Sequence, residues 1–482
     1  MQKSSPDRLS TGVPGLDEVL HGGFIPQRAY MVRGRTGTGK TTLGAHYLAA
    51  GAANSEKALF VTFSESEAEI RRDAEERGID LKNVDCLDLS PTAEPFTQMQ
   101  TYNVFEPAEV EREPTTRAIL ERVEAVKPRR VFVDALTQFR YLTRDVFAFR
   151  RQVLSFLRYL VDQGATVLFS SEYSPETPDD DLQFISACII DLAATAQERT
   201  VGVIKYHGSD YQSGRHALRL TDRGMVVYPR LVPEAYRRAF AAELLPSGVP
   251  ELDELLGGGI GRGSVVVISG PSGVGKTSIG LQFAKEAAGR GERSVVYSFE
   301  ESVDSIIRRS EGINMPVKAM VSHGTLALVP IEPLRYVPDE FASIVREEVE
   351  QRQATTIMLD STRGYTLSLR GEDLIAHLHA LARYLSNRNV TTLLISETEY
   401  ITGEFRATEA GISYLADDII FLRYFEYGGE LHKAIGVLKK RTGDFEKSLR
   451  ELAITRYGIK VGKPMTGFQG ILRGVPQVIP TG

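Results

Sequence analysis

GRTGTGKTT (residues 34–42) and GPSGVGKTS (residues 270–278) decide how this 482-residue chain folds. Each fits Gly-x-x-x-x-Gly-Lys-Ser/Thr, follows an apolar run (AYMVRG, VVVISG) and precedes a helix-forming stretch. Glycines at this spacing let backbone N–H groups turn inward around phosphate, and the positive end of the following helix adds to the attraction. Thr36, Gly37, Thr38, Gly39, Lys40, Thr41 and Thr42 are therefore expected to bind ATP in the first loop. Ser272, Gly273, Val274, Gly275, Lys276, Thr277 and Ser278 are expected to do so in the second. Lys40 and Lys276 would reach the β- and γ-phosphates, and Thr41 and Thr277 would each turn a hydroxyl to Mg²⁺.

Outward from the two loops, further motifs recur in the same order. TGVPGLDEVLHGG (11–23) returns as SGVPELDELLGGG (247–259), VFVDALT (131–137) as IMLDSTR (357–363), and VGVIKY (201–206) as IGVLKK (435–440). The offset is 236 positions both from Lys40 to Lys276 and from Gly12 to Gly248. A repeat this long with its motifs in order is a duplicated domain rather than a solenoid. Within each copy, short apolar runs (SVVVIS, SVVYSF, TIMLD, TTLLIS) alternate with helical stretches, the pattern of an α/β fold with a mostly parallel sheet. The boundary falls near RLVPEAYRRAFAAELLPSG (230–248), giving domains 1–235 and 236–482, the second ending in a Gly- and Pro-rich tail.

Composition narrows the class. Hydrophobic residues at 42% and charged residues at 25% suit an ordinary globular protein. A net charge of −6 lacks the basic field of most nucleic-acid binders. Two cysteines, Cys86 and Cys188, sit in apolar surroundings without metal-ligand spacing, which favours a reducing cytoplasm over a disulfide framework. The N-terminus lacks a signal-peptide layout, and no run approaches the ~18–20 apolar residues of a membrane span.

Two further features bear on chemistry. Asp134 and Asp360 end apolar strands, where such folds place the carboxylate that orders Mg²⁺, although a strand-ending Asp also caps turns. SFEES (298–302) sets Glu300 and Glu301 just beyond a strand, where a carboxylate could act as general base; two glutamates opening a helix also suit its positive end. The first copy reads TFSES (62–66), so Glu65 survives and Ser64 replaces the other glutamate.

The doubled phosphate loop, FEES after the first helix and a late Lys-x-Arg element together resemble the KaiC family, RecA-like ATPases first known from the cyanobacterial clock. The resemblance runs from about residue 8 to about residue 475 and implies two tandem RecA-like P-loop domains. It also implies that Glu300 and Glu301 activate the nucleophile, with Glu300 beside Mg²⁺. In the first copy that work would fall to Glu65, so hydrolysis there should be slow. Lys439-Lys440-Arg441 matches the element that reaches the nucleotide of the next subunit; its first-copy counterpart is Lys205-Tyr206-His207, in which a histidine carries only part of a charge near neutral pH.

The resemblance further implies a homo-oligomeric ring, a hexamer in the family, and autophosphorylation of the second domain. Within ATEAGISYLADD (407–418), Ser413 falls on the family's serine, Tyr414 replaces its threonine, and Thr408 matches a nearby threonine. Ser413 is thus the expected phosphoacceptor. GFQGILRGVPQ (467–477) resembles the family's terminal looping segment, and the chain stops soon after it, so activation by a partner gripping a longer tail is not expected. Two other readings remain: a RecA- or RadA-type DNA-dependent ATPase, which the acidic charge disfavours, and a nucleotide-dependent scaffold that signals its state to a protein partner with negligible turnover.

Overall fold

Short runs such as Leu59–Val61 and Val131–Val133 become strands because β-branched and aromatic side chains pack well on both faces of a pleated sheet. Alternation along them is strict. Tyr30, Val32, Phe60 and Phe132 point into one core, while Met31, Leu59, Val61, Val131 and Val133 point into the other. The computed structural model describes residues 8–90, 112–142, 146–172, 179–196, 198–371, 373–398, 412–473 and 477–478. The chain divides into two compact units, residues 1–230 and 231–482.

In the first unit the strands are β1 (Ala29–Gly34), β2 (Ala58–Thr62), β3 (Val84–Asp88), β4 (Arg130–Asp134), β5 (Thr166–Glu172), β6 (Cys188–Ala194), β7 (Arg199–Tyr206), β8 (Arg215–Thr221) and β9 (Gly224–Tyr228). They form one sheet in the order β3-β2-β4-β5-β1-β6-β7-β8-β9, parallel as far as β6 and antiparallel beyond it. The second unit repeats this with β10 (Val265–Gly270), β11 (Arg293–Ser298), β12 (Leu326–Pro330), β13 (Ala354–Asp360), β14 (Thr391–Glu397), β15 (Asp418–Tyr427), β16 (Glu430–Lys440), β17 (Arg450–Thr455) and β18 (Gly458–Pro464). Its order, β12-β11-β13-β14-β10-β15-β16-β17-β18, is the same.

The site follows from that order. β1 and β10 each lie between strands whose connections run to opposite sides, and ligands of open α/β sheets bind at such switch points, beyond the strands' carboxyl ends. The phosphate loops leave those ends and run into helices α1 (Lys40–Ala53) and α3 (Lys276–Gly289). Gly39 and Gly275 cap the helices at φ 104° and 115°. At φ 115° the left-handed backbone of Gly275 favours glycine, and a Cβ there would push aside the Ile454 Cδ1 methyl, 2.2 Å away. Helices α2 (Glu67–Glu76) and α4 (Val303–Glu311) begin just past β2 and β11, capped by Ser66 and Ser302. Beyond residue 230 the chain packs on the second unit, where Tyr236 meets Tyr384 edge-on at 4.9 Å and Asn387 Nδ2 donates to the Pro233 carbonyl at 2.7 Å.

Both cysteines are free, and burial raises both thiols to about 12, which keeps them inert. The first unit also carries two histidines that its repeat lacks, His216 buried and His46 half-buried. His46 Nε2 accepts the Met225 N–H at 2.9 Å. His216 Nδ1 accepts the Arg230 N–H at 3.0 Å, and its Nε2 lies 3.0 Å from the Gln212 carbonyl. Burial lowers both pKa values, because a charged ring would lose an acceptor in a dry setting. Gln282 and Arg450 hold the matching positions in the second unit.

A depressed folded pKa means that the unfolded chain binds more protons as pH falls. The stability is full above the ordinary histidine range near ~6.5 and is lost on acidification through it toward the folded values. Hydrogen exchange at pH 7.5 and 5.5 is expected to show β1 and β9 losing protection while β10 keeps it. His46→Gln should lessen the difference. Equal loss in both units would refute this.

Two candidate nucleotide sites

Each crevice is a cavity at the carboxyl end of its sheet, about 280 Å³ in the first unit and 350 Å³ in the second. Thr36, Gly37, Gly39, Lys40, Thr41 and Thr42 line the first, with Glu65 and Asp134 opposite. Ser272, Gly273, Gly275, Lys276, Thr277 and Ser278 line the second, facing Glu300, Glu301 and Asp360. Thr38 and Val274 are buried beneath the loops as support, 2% and 0% exposed, and do not line the crevices.

Both lysines are buried and folded onto their loops. Lys40 Nζ donates to the carbonyls of Gly34 and Arg35 at 2.9 and 3.1 Å, and Lys276 Nζ to that of Pro271 at 2.8 Å. Burial lowers both ammonium pKa values. Asp134 and Glu172 oppose that shift for Lys40; Glu397, Asp360 and Glu300 oppose it for Lys276. A desolvated cation ringed by inward-turned backbone suits a polyanion such as a triphosphate.

The Mg²⁺ expectation meets a fitting donor set. Thr41 Oγ1 donates to Asp134 Oδ2 at 2.6 Å, and Thr277 Oγ1 to Asp360 Oδ2 at 2.8 Å. A hydroxyl and a carboxylate paired this way are two hard oxygens, the usual protein share of a Mg²⁺ site completed by phosphates and water. Burial raises the Asp360 pKa, a cost that a cation would relieve. In both units the peptide after this aspartate is cis.

The glutamates are held differently in the two copies. Glu300 Oε1 accepts from Ser361 Oγ at 2.6 Å. Glu301 accepts from Ser305 Oγ on Oε1 at 2.8 Å and pairs through Oε2 with Arg309 Nη2 at 2.8 Å. At offset 236 from Ser305 and Arg309 the first unit has Glu69 and Asp73, while Ala135 follows Asp134 where Ser361 follows Asp360. Among the described residues no cation pairs with Glu65. Burial, then Asp134, Asp73 and Glu69, push its pKa up.

Several lining residues are absent from the motifs. Glu172 and Glu397 end the strands beside the phosphate-loop strands, in register with Gly34 and Gly270. Their trace in the sequence is a repeated Ser-Glu, at 171–172 and 396–397. Lys433, from the middle of β16, donates to the Gly273 carbonyl at 3.2 Å and lies 5.7 Å from the Tyr424 ring centroid.

Against known proteins, the family model described as "ATPase: KaiC" matches residues 9–232 and 245–466.

The chain belongs to the KaiC ATPase family.

Among similar proteins are the circadian clock oscillator protein KaiC of Prochlorococcus marinus, 28% identical over 98% of this chain and 95% of that protein. Another is the circadian clock protein KaiC3 of a Synechocystis, 27% identical over 98% and 94%. The oscillator protein KaiC of Synechococcus elongatus is 26% identical over 97% and 92%. The two nine-stranded α/β units are thus tandem RecA-like domains, and the chain is an ATPase of the KaiC type. No described helix is long and apolar enough to cross a membrane.

The late basic elements that the KaiC resemblance singled out split by strand parity. Tyr206 is 6% exposed, with its hydroxyl bonded to the Gly23 carbonyl and to Arg8, so it is a core residue and is not offered to a neighbour. Lys440 likewise turns back, donating to the carbonyls of Leu256 and Gly259. Their neighbours take the opposite face, as alternation along a strand requires. Lys205 Nζ donates to the Gln183 carbonyl at 2.6 Å, and His207 is exposed. Lys439 Nζ reaches the carbonyls of Ala416 and Ser413 at 2.5 and 3.4 Å. Arg441 is exposed and pairs with Asp417 at 2.9 Å. Ser413 is exposed on this same edge and is not among the residues lining its own unit's crevice. Tyr414 beside it is 53% exposed, its ring edge-on to His379 at 5.4 Å. Thr408 lies outside the described residues.

Proposed function

We propose that this KaiC-family ATPase works as a homo-oligomeric ring, a hexamer by family likeness, hydrolysing Mg-ATP in the cytoplasm. In this reading the second unit also passes the γ-phosphate to Ser413 of the adjacent subunit, while the first turns over slowly and serves mainly assembly. One observation carries it: Ser413, Lys439 and Arg441 share an edge outside their own crevice. That arrangement makes chemical sense if the edge meets another copy's nucleotide, through head-to-tail contacts that close a ring.

The chemistry balances with the residues present. Lys276 and the backbone of its loop bind the triphosphate. Thr277 and Asp360 would hold Mg²⁺, which when bound neutralises charge on the β- and γ-phosphates. Ser413 Oγ of one subunit attacks the γ-phosphorus, its proton passes to Glu300 of the other, and the bond to the leaving ADP oxygen breaks. Arg441 and Lys439, arriving with Ser413, spread charge over the transferring group. Water in place of Ser413 gives hydrolysis. In the first unit Ser64 supplies no base, and Glu65 stands among carboxylates.

Incubating the whole protein with Mg-ATP and following intact mass, with peptide mapping, tests this directly. The expected result is one phosphate on Ser413 that does not form in Ser413→Ala. Steady ATP consumption with no mass change would leave a hydrolase without transfer. Stimulation by single-stranded DNA would favour the DNA-dependent reading instead.

A further inference from the structure

The two glutamates that follow β11 are adjacent in sequence, yet their hydrogen bonding makes them inequivalent. Both oxygens of Glu301 are engaged, one by Ser305 and the other by Arg309, each at 2.8 Å. Glu300 spends Oε1 on Ser361 at 2.6 Å, and no described residue bonds its Oε2. Glu301 precedes the Ser302 cap of α4 and Arg309 lies in its last turn, so the long guanidinium side chain runs back along the helix to reach Glu301. Arg309 also lines the crevice, so the pair sits at the mouth of the reaction site.

We infer that Arg309 is a positioning residue that withdraws Glu301 from base catalysis and so assigns the proton to Glu300. This rests on the proposed function, since it presupposes a glutamate base in the second unit. A carboxylate whose two oxygens are turned to a guanidinium and a hydroxyl presents neither of them to a nucleophile poised at the γ-phosphate. The first unit displays the reverse arrangement. Asp73 stands where Arg309 does, Glu69 stands where Ser305 does and is occupied in capping Ser66, and the lone Glu65 is left unclamped. One chain thus carries a clamped glutamate beside a free one, and an unclamped glutamate where its neighbour is gone.

The test is a suppressor experiment in the full chain carrying Glu65→Gln, which should silence first-unit hydrolysis while Lys40 and its loop still bind the nucleotide that assembly needs, so that ATP consumption reports the second unit. Glu300→Gln is expected to lower kcat by ~10²-fold or more. Arg309→Gln alone should leave kcat within about fivefold, the scale of a half-exposed ion pair, and should raise KM for ATP because the crevice loses the cation that offsets Glu301 near the phosphates. Arg309→Lys should restore that KM. The decisive variant is Glu300→Gln with Arg309→Gln. Releasing Glu301 should return kcat at least ~10-fold above Glu300→Gln, and adding Glu301→Gln should erase the gain. A double variant no faster than Glu300→Gln would overturn the inference, as would Arg309→Gln losing kcat at unchanged KM. If Glu300→Gln itself keeps full turnover, the underlying assignment of Glu300 as base fails, an outcome separate from either.

Discussion

Replacing Arg441 with alanine is expected to slow second-unit turnover and phosphate transfer by ~10³-fold, the lower end of what a cation supplied across an interface contributes. That is about 4 kcal/mol of transition-state stabilisation. The guanidinium is exposed, and its one described side-chain partner is Asp417, whose other oxygen accepts the Val265 N–H at 3.0 Å. Asp417 therefore aims Arg441 without burying it. The loss should fall on kcat rather than on KM for ATP, because a charge that acts on the transferring group matters most in the transition state. Mixing gives the sharper readout. Arg441→Ala subunits combined with Glu300→Gln subunits should recover activity, since some junctions would join an intact Glu300 to an intact Arg441. A mixture no more active than its parts would mean that Arg441 serves its own subunit only.

Glu300→Gln should cost ~10²- to 10⁴-fold in both ATP hydrolysis and phosphate arrival at Ser413. The amide can still accept the Ser361 hydroxyl, so position is kept and basicity lost. Measured together, the two rates should fall in parallel. If hydrolysis falls while transfer to Ser413 persists, then Ser413 loses its proton elsewhere and only water relies on Glu300.

Much of this was legible in the sequence. The duplicated α/β architecture, the phosphate loops and the Thr-Asp pairs all follow from apolar runs, glycine spacing and strand-ending aspartates. What escaped depends on contacts between distant segments. Glu172 and Glu397 reach their crevices only through register between β5 and β1, and between β14 and β10, which the repeated Ser-Glu does not by itself state. Arg309 reads as one more charge on a helix opposed to solvent until α4 is seen turning it back to Glu301. Tyr206 errs the other way. Family likeness placed it with Lys205 and His207, although alternation along β7 already set it on the opposite face, where a tyrosine can fill the core and bond its hydroxyl.

The shared strand order of the two sheets has a consequence for how such a chain can be tuned. Ser64, Glu69, Asp73 and Ala135 occupy the frame places of Glu300, Ser305, Arg309 and Ser361, while both lysines and both Thr-Asp pairs stay as they are. On the proposed roles, grip on the nucleotide and speed of its consumption are written in separate sets of letters. If the proposed roles hold, a handful of single-residue changes would alter the rate of one unit without touching the scaffold that both need to hold their fuel.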